Sequence, residues 1–406
     1  MKKILFFASL VVVGAGILLT VFIYFIKSEN HFYKYSIVPD QQTGKQTENI
    51  DNVPVKEVEE IEESRKLENP PEEVRALYLT AWSASNSDKM DSYIDLIKKE
   101  KLNAVVIDIK DASGFIAYDI ENEDVKKYGA KNVKIPQIDE LLKKLHDNNI
   151  YAIARIVAFE DPIVAQKRPD LAIKNNSTGG LWENYNGIEW IDPAATEYWE
   201  YIVEIAQETS DRGFDEINFD YIRFPSDGPL SKMSFPFYDS KSKSKREAMK
   251  EVFEYLRLNL NDIKISVDFF GLVTINTDDL GIGQTIEDAF ENFDYICPMV
   301  YPSHYAAGFI GYSNPAQYPY EVVKYSIEHA TERLEIFRLA QEENSEGEKK
   351  PLAKIRPWLQ AFDMGAVYGP GMVKKQIDAS NESGGVGWFL WNAANNYETK
   401  VVGVNN

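Results

Sequence analysis

Two aspartates stand at matching places in two successive apolar segments. In GFDEINFDYIRFPSDG (213–228), Ile217, Phe219 and Tyr221 alternate with Glu216, Asn218 and Asp220. In KISVDFFGLV (264–273), Val267 and Phe269 alternate with Ser266 and Asp268. Alternation with a period of two marks a strand with two unlike faces. Burying an unpaired carboxylate is expensive, so the polar face must do some work. With the apolar set against a layer of helices, the polar set points inward, and Asp220 and Asp268 end up at similar depth on adjacent strands. Two carboxylates across a cleft are the minimum apparatus for cleaving a glycosidic bond: one donates a proton, the other attacks or activates water. Proximity pushes their pKa values apart, so that one acid can keep its proton. Each acid also has a scaffolding reading. Asp220 can be tied to Arg223 or a neighbouring strand, and Asp268 can orient a base or bind a sugar hydroxyl.

Other polar groups fall near the same strand ends. LNAVVIDIK (102–110) places Asp108 and Lys110 on one parity, either as a structural pair or as ligand contacts. ARIVAFEDP brings Arg155, suited to neutralising buried acids, and Glu160, an alternative proton donor. Trp182, Tyr185 and Trp190 lie in the long segment that follows, with Asp192 just after. Tyr301, His304 and Tyr305 come after a sixth strand, Trp358 and Gln360 share the inward parity of a seventh, and Trp388, Trp391 and Asn392 end an eighth. Flat rings with amide and carboxylate partners suit sugars, which have apolar faces and hydroxyl rims. The candidate catalytic set is therefore Asp220, Asp268 and Glu160. The candidate substrate contacts are Asp108, Lys110, Arg155, Asn218, Arg223, Tyr301, His304, Trp358, Gln360, Trp391 and Asn392.

Composition narrows the chemistry. The 406 residues contain four histidines, with no H-x-H or H-E-x-x-H spacing, and one cysteine, Cys297, in an apolar strand. No metal site, internal disulfide or other cofactor is expected. A net charge of −20 without a basic patch argues against a nucleic-acid surface. The glycine-rich segment Gly365–Gly371 lacks the GK[ST] of a phosphate loop and reads as a turn into the last helix.

The elements that must position these residues repeat one rhythm. Strands are expected at 74–80, 102–110, 151–159, 214–224, 264–273, 293–301, 354–362 and 385–391. Helices are expected near 87–100, 136–148, 194–211, 242–260, 284–291, 319–343 and 370–381. This α/β order predicts a closed (β/α)8 TIM barrel over 73–406. An open doubly wound sheet is the alternative, though no strand leads into a G-x-G-x-x-G turn. Long connections at 160–193, 225–241 and 302–318 follow strands and suit the walls of a cleft. Ahead of the barrel, the apolar run Ile4–Ile26 within residues 1–27 is long enough to span a bilayer, as an uncleaved anchor or, alternatively, a cleaved signal. Residues 28–72 read as an acidic, polar linker or, alternatively, a docking helix. The barrel is then expected outside the cytoplasmic membrane, anchored or secreted.

The segments VRALYLTAW, LNAVVIDIKDASG, ARIVAFEDP, FDEINFDYIRFPSDG, ISVDFFG, ICPMVYPSHY, IRPWLQAF and GVGWFLWNAAN span about residues 74–397. Together they resemble the bacterial glycoside hydrolases of unknown specificity, a membrane-tethered or secreted group with a TIM-barrel domain. The resemblance implies a distant relation to barrels of the alpha-amylase type, whose nucleophile is an Asp at the end of strand four. Asp220 takes that place. Amylase-type enzymes carry their acid/base Glu at the end of strand five, where this chain has Asp268, and an Arg two residues before the nucleophile, where it has Asn218. Those departures leave Asp268 and Glu160 both open as the proton donor, and both stereochemical outcomes open. The resulting expectation is an anchored glycoside hydrolase acting on a poly- or oligosaccharide. The alternatives are a glycan-binding barrel without activity and an anchored structural domain.

Overall fold

The structure is a computed structural model and describes residues 66–344, 350–401 and 403. The expected membrane span at 1–27 and linker residues 28–65 lie outside the described residues. No helix among the described residues is long and apolar enough to cross a membrane. At the start of the described chain, the Leu67 N–H donates to Asp215 Oδ1 at 2.7 Å and Lys66 Nζ to Ser210 Oγ at 2.7 Å.

The strands are β1 (Arg75–Leu79), β2 (Ala104–Lys110), β3 (Tyr151–Val157), β4 (Glu216–Asp220), β5 (Ile265–Phe270), β6 (Tyr295–Val300), β7 in two pieces (Lys354–Ile355 and Trp358–Gln360) and β8 (Trp388–Trp391). Each is parallel to the next, and β8 pairs back onto β1 with Arg75 opposite Trp388. That last pairing closes the barrel and excludes the open sheet. The alternating helices are α1 (Ser87–Lys99), α2 (Ile138–Asp147), α3 (Thr196–Asp211), α4 (Lys245–Asn259), α5 (Ile286–Ala289), α6 (Pro319–Asn344), α7 (Pro370–Glu382) and α8 (Glu398–Val401). The clearest local start signal is at α4. There the Ser244 side chain accepts the Glu247 N–H while the Glu247 carboxylate accepts the Ser244 N–H.

Two strands depart from expectation. The seventh is interrupted at Arg356 and Pro357, where proline has no N–H to give the ladder. The fourth stops at Asp220 because Tyr221 takes a left-handed backbone (φ 51°).

Parity divides the apolar residues into two cores. Ile217, Phe219, Val267 and Phe269 face outward and pack with Ile202, Ile205 and Phe253 of the helices. Ala76, Tyr78, Val106, Ile153, Cys297, Trp358 and Phe389 fill the barrel interior. Below them lies a fully buried ion pair, Glu216 with Arg356. Glu216 also accepts the Ser266 hydroxyl at 2.5 Å, and the Arg356 guanidinium lies 3.8 Å from the Tyr295 ring centroid. Cys297 is buried beside this pair, and burial pushes its thiol far above the ordinary range, which makes it a packing residue.

Removing one partner of a dry ion pair leaves an uncompensated charge. Glu216→Ala is therefore expected to cost about 3–5 kcal/mol of unfolding free energy in urea titrations, whereas Glu216→Leu combined with Arg356→Met should recover most of it. A loss below about 1 kcal/mol in the single variant would contradict this account of the barrel floor.

Candidate active site

At the C-terminal ends of the strands the barrel opens into a cleft of about 490 Å³. Asp220, Asp268, Arg155, Arg223, Tyr301, His304, Trp358 and Trp391 all contribute to its lining. Arg155 ties the acids together. From β3 it donates to Asp220 Oδ2 through Nη2 at 2.5 Å and Nε at 3.2 Å, and to Asp108 Oδ1 through Nη1 at 2.6 Å. The far oxygen of Asp108 accepts the Tyr78 hydroxyl at 2.5 Å, and the Tyr78 ring stacks on Trp391 at 4.0 Å between centroids. Thus the Asp220 partner is Arg155 and not Arg223. The positive charge beside Asp220 thus comes from the neighbouring strand β3.

Asp268 sits 1% exposed on β5. Its Oδ1 accepts two N–H bonds, from Asn218 Nδ2 at 2.9 Å and Trp358 Nε1 at 2.7 Å. Its Oδ2 has no hydrogen-bond partner among the described residues and lies 3.9 Å from Arg155 Nε. Burial first, and the charge of Asp220 second, hold this carboxyl well above the usual range. The Asn218 orientation follows from the barrel floor. Ser266 gives its hydroxyl proton to Glu216 and so accepts from Asn218 Nδ2 at 3.0 Å, with Asn218 itself fully buried beneath the cleft.

Glu160, just past β3, is buried, and its Oε1 accepts Asn184 Nδ2 at 2.8 Å. Burial pushes its carboxyl up to about 7, against the pull of Arg223 and with a further push from Asp227 and Asp220. Glu160 is near enough to feel the central charges without lining the cleft wall.

The backbone after β4 is strained. A left-handed tyrosine costs roughly 1–2 kcal/mol. It brings the Tyr221 N–H to Asp220 Oδ1 at 2.6 Å and turns the Tyr221 ring, expected to face the helices, into the cleft wall. Opposite, Gly271 allows close packing, since a Cβ there would lie 2.5 Å from the Met299 carbonyl oxygen and 2.7 Å from the Tyr305 hydroxyl. His304 stands on the rim with one side open to solvent, its ring against Tyr301 and Phe362. That partial enclosure lowers its imidazole from the ordinary value.

Several expected contacts lie elsewhere. The β2–β3 register shifts between Asp108 and Lys110, and Lys110 is fully buried, 3.0 Å from Asp161 Oδ2 and 2.8 Å from the Val157 carbonyl. It ties down the loop after β3 and does not line the cleft. Gln360 is likewise buried, accepting the Ser303 N–H at 3.1 Å and donating to the Phe362 carbonyl at 3.0 Å. Asn392 donates to the Ala361 carbonyl at 2.7 Å, joining the ends of β8 and β7. Trp182, Trp190 and Trp388 are core residues, Tyr185 is exposed, and Asp192 accepts the Phe237 and Tyr238 N–H groups at 2.7 and 3.0 Å. Sequence reasoning missed Tyr78, Asn184 and Tyr221. The inward parity of Tyr78 in RALYL was legible; the reach of Asn184 across its loop and the turn at Tyr221 were not.

A family model described as "Putative glycosyl hydrolase domain" matches residues 76–397. Among solved structures, a hypothetical protein from Ruminiclostridium thermocellum is 37% identical over 51% of this chain and 98% of its own, with a TM-score of 0.44. The PgaB (BpsB) glycoside hydrolase domain from Bordetella bronchiseptica is 13% identical over 80% of this chain and 95% of its own, with a TM-score of 0.52. Alpha-L-fucosidase isoenzyme 2 from Paenibacillus thiaminolyticus is 12% identical over 82% of this chain and 48% of its own, with a TM-score of 0.51. The last two, at these identities, share the fold. No curated protein matches.

The Glu160 environment has a measurable consequence. Its carboxyl holds a proton in the folded state between an ordinary value of 4.5 and about 7. Folding is thus favoured at the acid end of that window and loses stability as pH rises through it. Relative to Glu160→Gln, the parent should lose on the order of 3 kcal/mol between about pH 4 and pH 8 in urea denaturation. A constant difference across that range would show that Glu160 titrates normally.

Proposed function

We propose that this chain, which belongs to the family described as "Putative glycosyl hydrolase domain", hydrolyses O-glycosidic bonds of an extracytoplasmic polysaccharide by carboxylate acid/base chemistry. The observation that carries the reading is the pair Asp220 and Asp268. Their Oδ2 atoms stand 3.2 and 3.9 Å from the same Arg155 Nε, in a cleft walled by Tyr301, Trp358 and Trp391. Asp220, its charge met by Arg155, is the nucleophile or the general base. Asp268 is the acid. Asn218 and Trp358 occupy its Oδ1, so Oδ2 carries the proton that passes to the glycosidic oxygen as the bond to the anomeric carbon breaks. The developing positive charge on the sugar ring is met by Asp220, and the aromatic walls hold the ring faces.

A second reading assigns the proton donor to Glu160, supported by its carboxyl standing at about 7, well matched to donation near neutral pH. The apolar run Ile4–Ile26 supports a barrel displayed outside the cytoplasmic membrane, anchored or secreted. A glycan-binding barrel without activity is the alternative from another class.

The decisive assay follows new reducing ends released from a panel of bacterial and plant glycans by the full chain in detergent. Asp220→Asn should lower the rate at least about 10³-fold. Cleavage at equal rates by both forms would remove Asp220 from the chemistry, and saturable binding without cleavage by either would favour the binding barrel. Among active preparations, Asp268→Asn should abolish the basic limb of the pH–rate profile while Glu160→Gln leaves it in place; the reverse pattern would make Glu160 the donor.

A further inference from the structure

The two arginines of the cleft differ in how their charges are met. Arg155 is gripped by Asp108 and Asp220 at 2.6 and 2.5 Å. Arg223 is also deeply buried, at 6% exposed, and also lines the cleft. Its guanidinium carbon lies 4.7 Å from the centroid of Phe270, 5.1 Å from Trp190 and 5.1 Å from Tyr221. Nη1 donates to the Phe224 carbonyl at 3.0 Å. Among the described residues it has no ion-pair partner. A guanidinium offers five N–H donors and cannot give up its charge in a protein, so this side chain has most of its donors unspent. The rings offset only part of the cost of burying it.

The nearest opposing charges do not supply the missing partner. Glu160 feels Arg223 from beyond ion-pair distance, and its Oε1 is held by Asn184. Asp220 is taken by Arg155. Asp268 is held toward its neutral form by burial. Around the cleft, then, Arg155 meets two carboxylates with its one charge, while Arg223 has no carboxylate within ion-pair distance among the described residues. The protein as a whole carries −20, so this cation sits against the sign of the chain.

We propose that Arg223 receives an anionic substituent of the saccharide, a carboxylate or a phosphate, and that the substrate is an acidic glycan. The planar fork of the guanidinium matches either group in a two-pronged contact. Sugar faces would then lie against the aromatic walls while the acidic substituent reaches Arg223. The inference rests on the saccharide reading of the cleft and narrows it.

The test uses binding isotherms of the full chain in detergent with galacturonate against galactose, glucuronate against glucose, and glucose 6-phosphate against glucose. At least one acidic sugar should bind about tenfold or more tightly than its neutral counterpart, with added salt weakening the preference. A uronate preference identifies the carboxylate, and a preference for the phosphate ester identifies the phosphoryl group. Arg223→Met should weaken the acidic ligand roughly 10- to 100-fold and the neutral sugar far less, so that the preference collapses, with Arg223→Lys between the two. No preference in the parent chain overturns the inference without reference to any variant, and so does a preference that survives Arg223→Met. The same isotherms, together with the reducing-end assay, on the parent and Asp220→Asn separate the two readings. Neutral glycans cleaved by the parent and not by that variant, with no anion preference in either, sink only this inference. Anion preference in both, with no cleavage by either, sinks only the hydrolase.

Discussion

Arg155 reaches from β3 to Asp108 on β2 and to Asp220 on β4, with Asp268 of β5 only slightly farther away. Inside a barrel the attraction among these groups is far stronger than in water, and so is the penalty for leaving any one of them alone. Three adjacent strands, β2, β3 and β4, are therefore tied together by one side chain. The acids it holds cannot be placed independently. Asp220 is fixed through both oxygens, by the guanidinium on one side and the Tyr221 N–H on the other, and the latter exists only because the chain accepts a left-handed tyrosine.

A second line of polar groups rises from below. Arg356 and Glu216 form the floor, the Ser266 hydroxyl answers Glu216, Asn218 answers Ser266, and Asn218 then turns its remaining N–H to Asp268. Each group has its donor and acceptor roles dictated by the one beneath it. The end of the line is a carboxyl whose Oδ1 is fully committed and whose Oδ2 has no hydrogen-bond partner among the described residues. Such a column is costly to bury and is retained where a single orientation matters more than maximal stability. Apolar packing around it supplies the stability, through an inner cluster and an outer layer kept apart by strand parity.

The same separation of roles runs through the cleft. Arg155 serves the protein, whereas Arg223 rests among three rings with donors to spare. Asp268 is pushed toward its neutral form by burial next to Asp220, and burial just outside the wall raises the Glu160 carboxyl to about 7. Acids of unlike environment within one site allow proton donation and charge stabilisation to proceed together.

Alternating polarity in β4 and β5 was enough to place Asp220 and Asp268 inward and side by side, because a period of two leaves no other way to bury Ile217, Phe219, Val267 and Phe269. Helix spans were legible for the same reason, since their apolar faces recur with a helical period. What alternation cannot report is a local break in it. The register shift after Asp108 sent Lys110 to Asp161, the left-handed turn sent Tyr221 into the cleft, and Pro357 split the seventh strand. Nor could it pair charges: Arg155 and Arg223 both stood as candidate partners for the acids. By itself the sequence determined which faces are buried, because burial depends on the order of polar and apolar residues along the chain. Only the tertiary structure decided which buried charges meet, because that depends on contacts of a few ångströms between residues as far apart in the chain as Arg155 and Asp220.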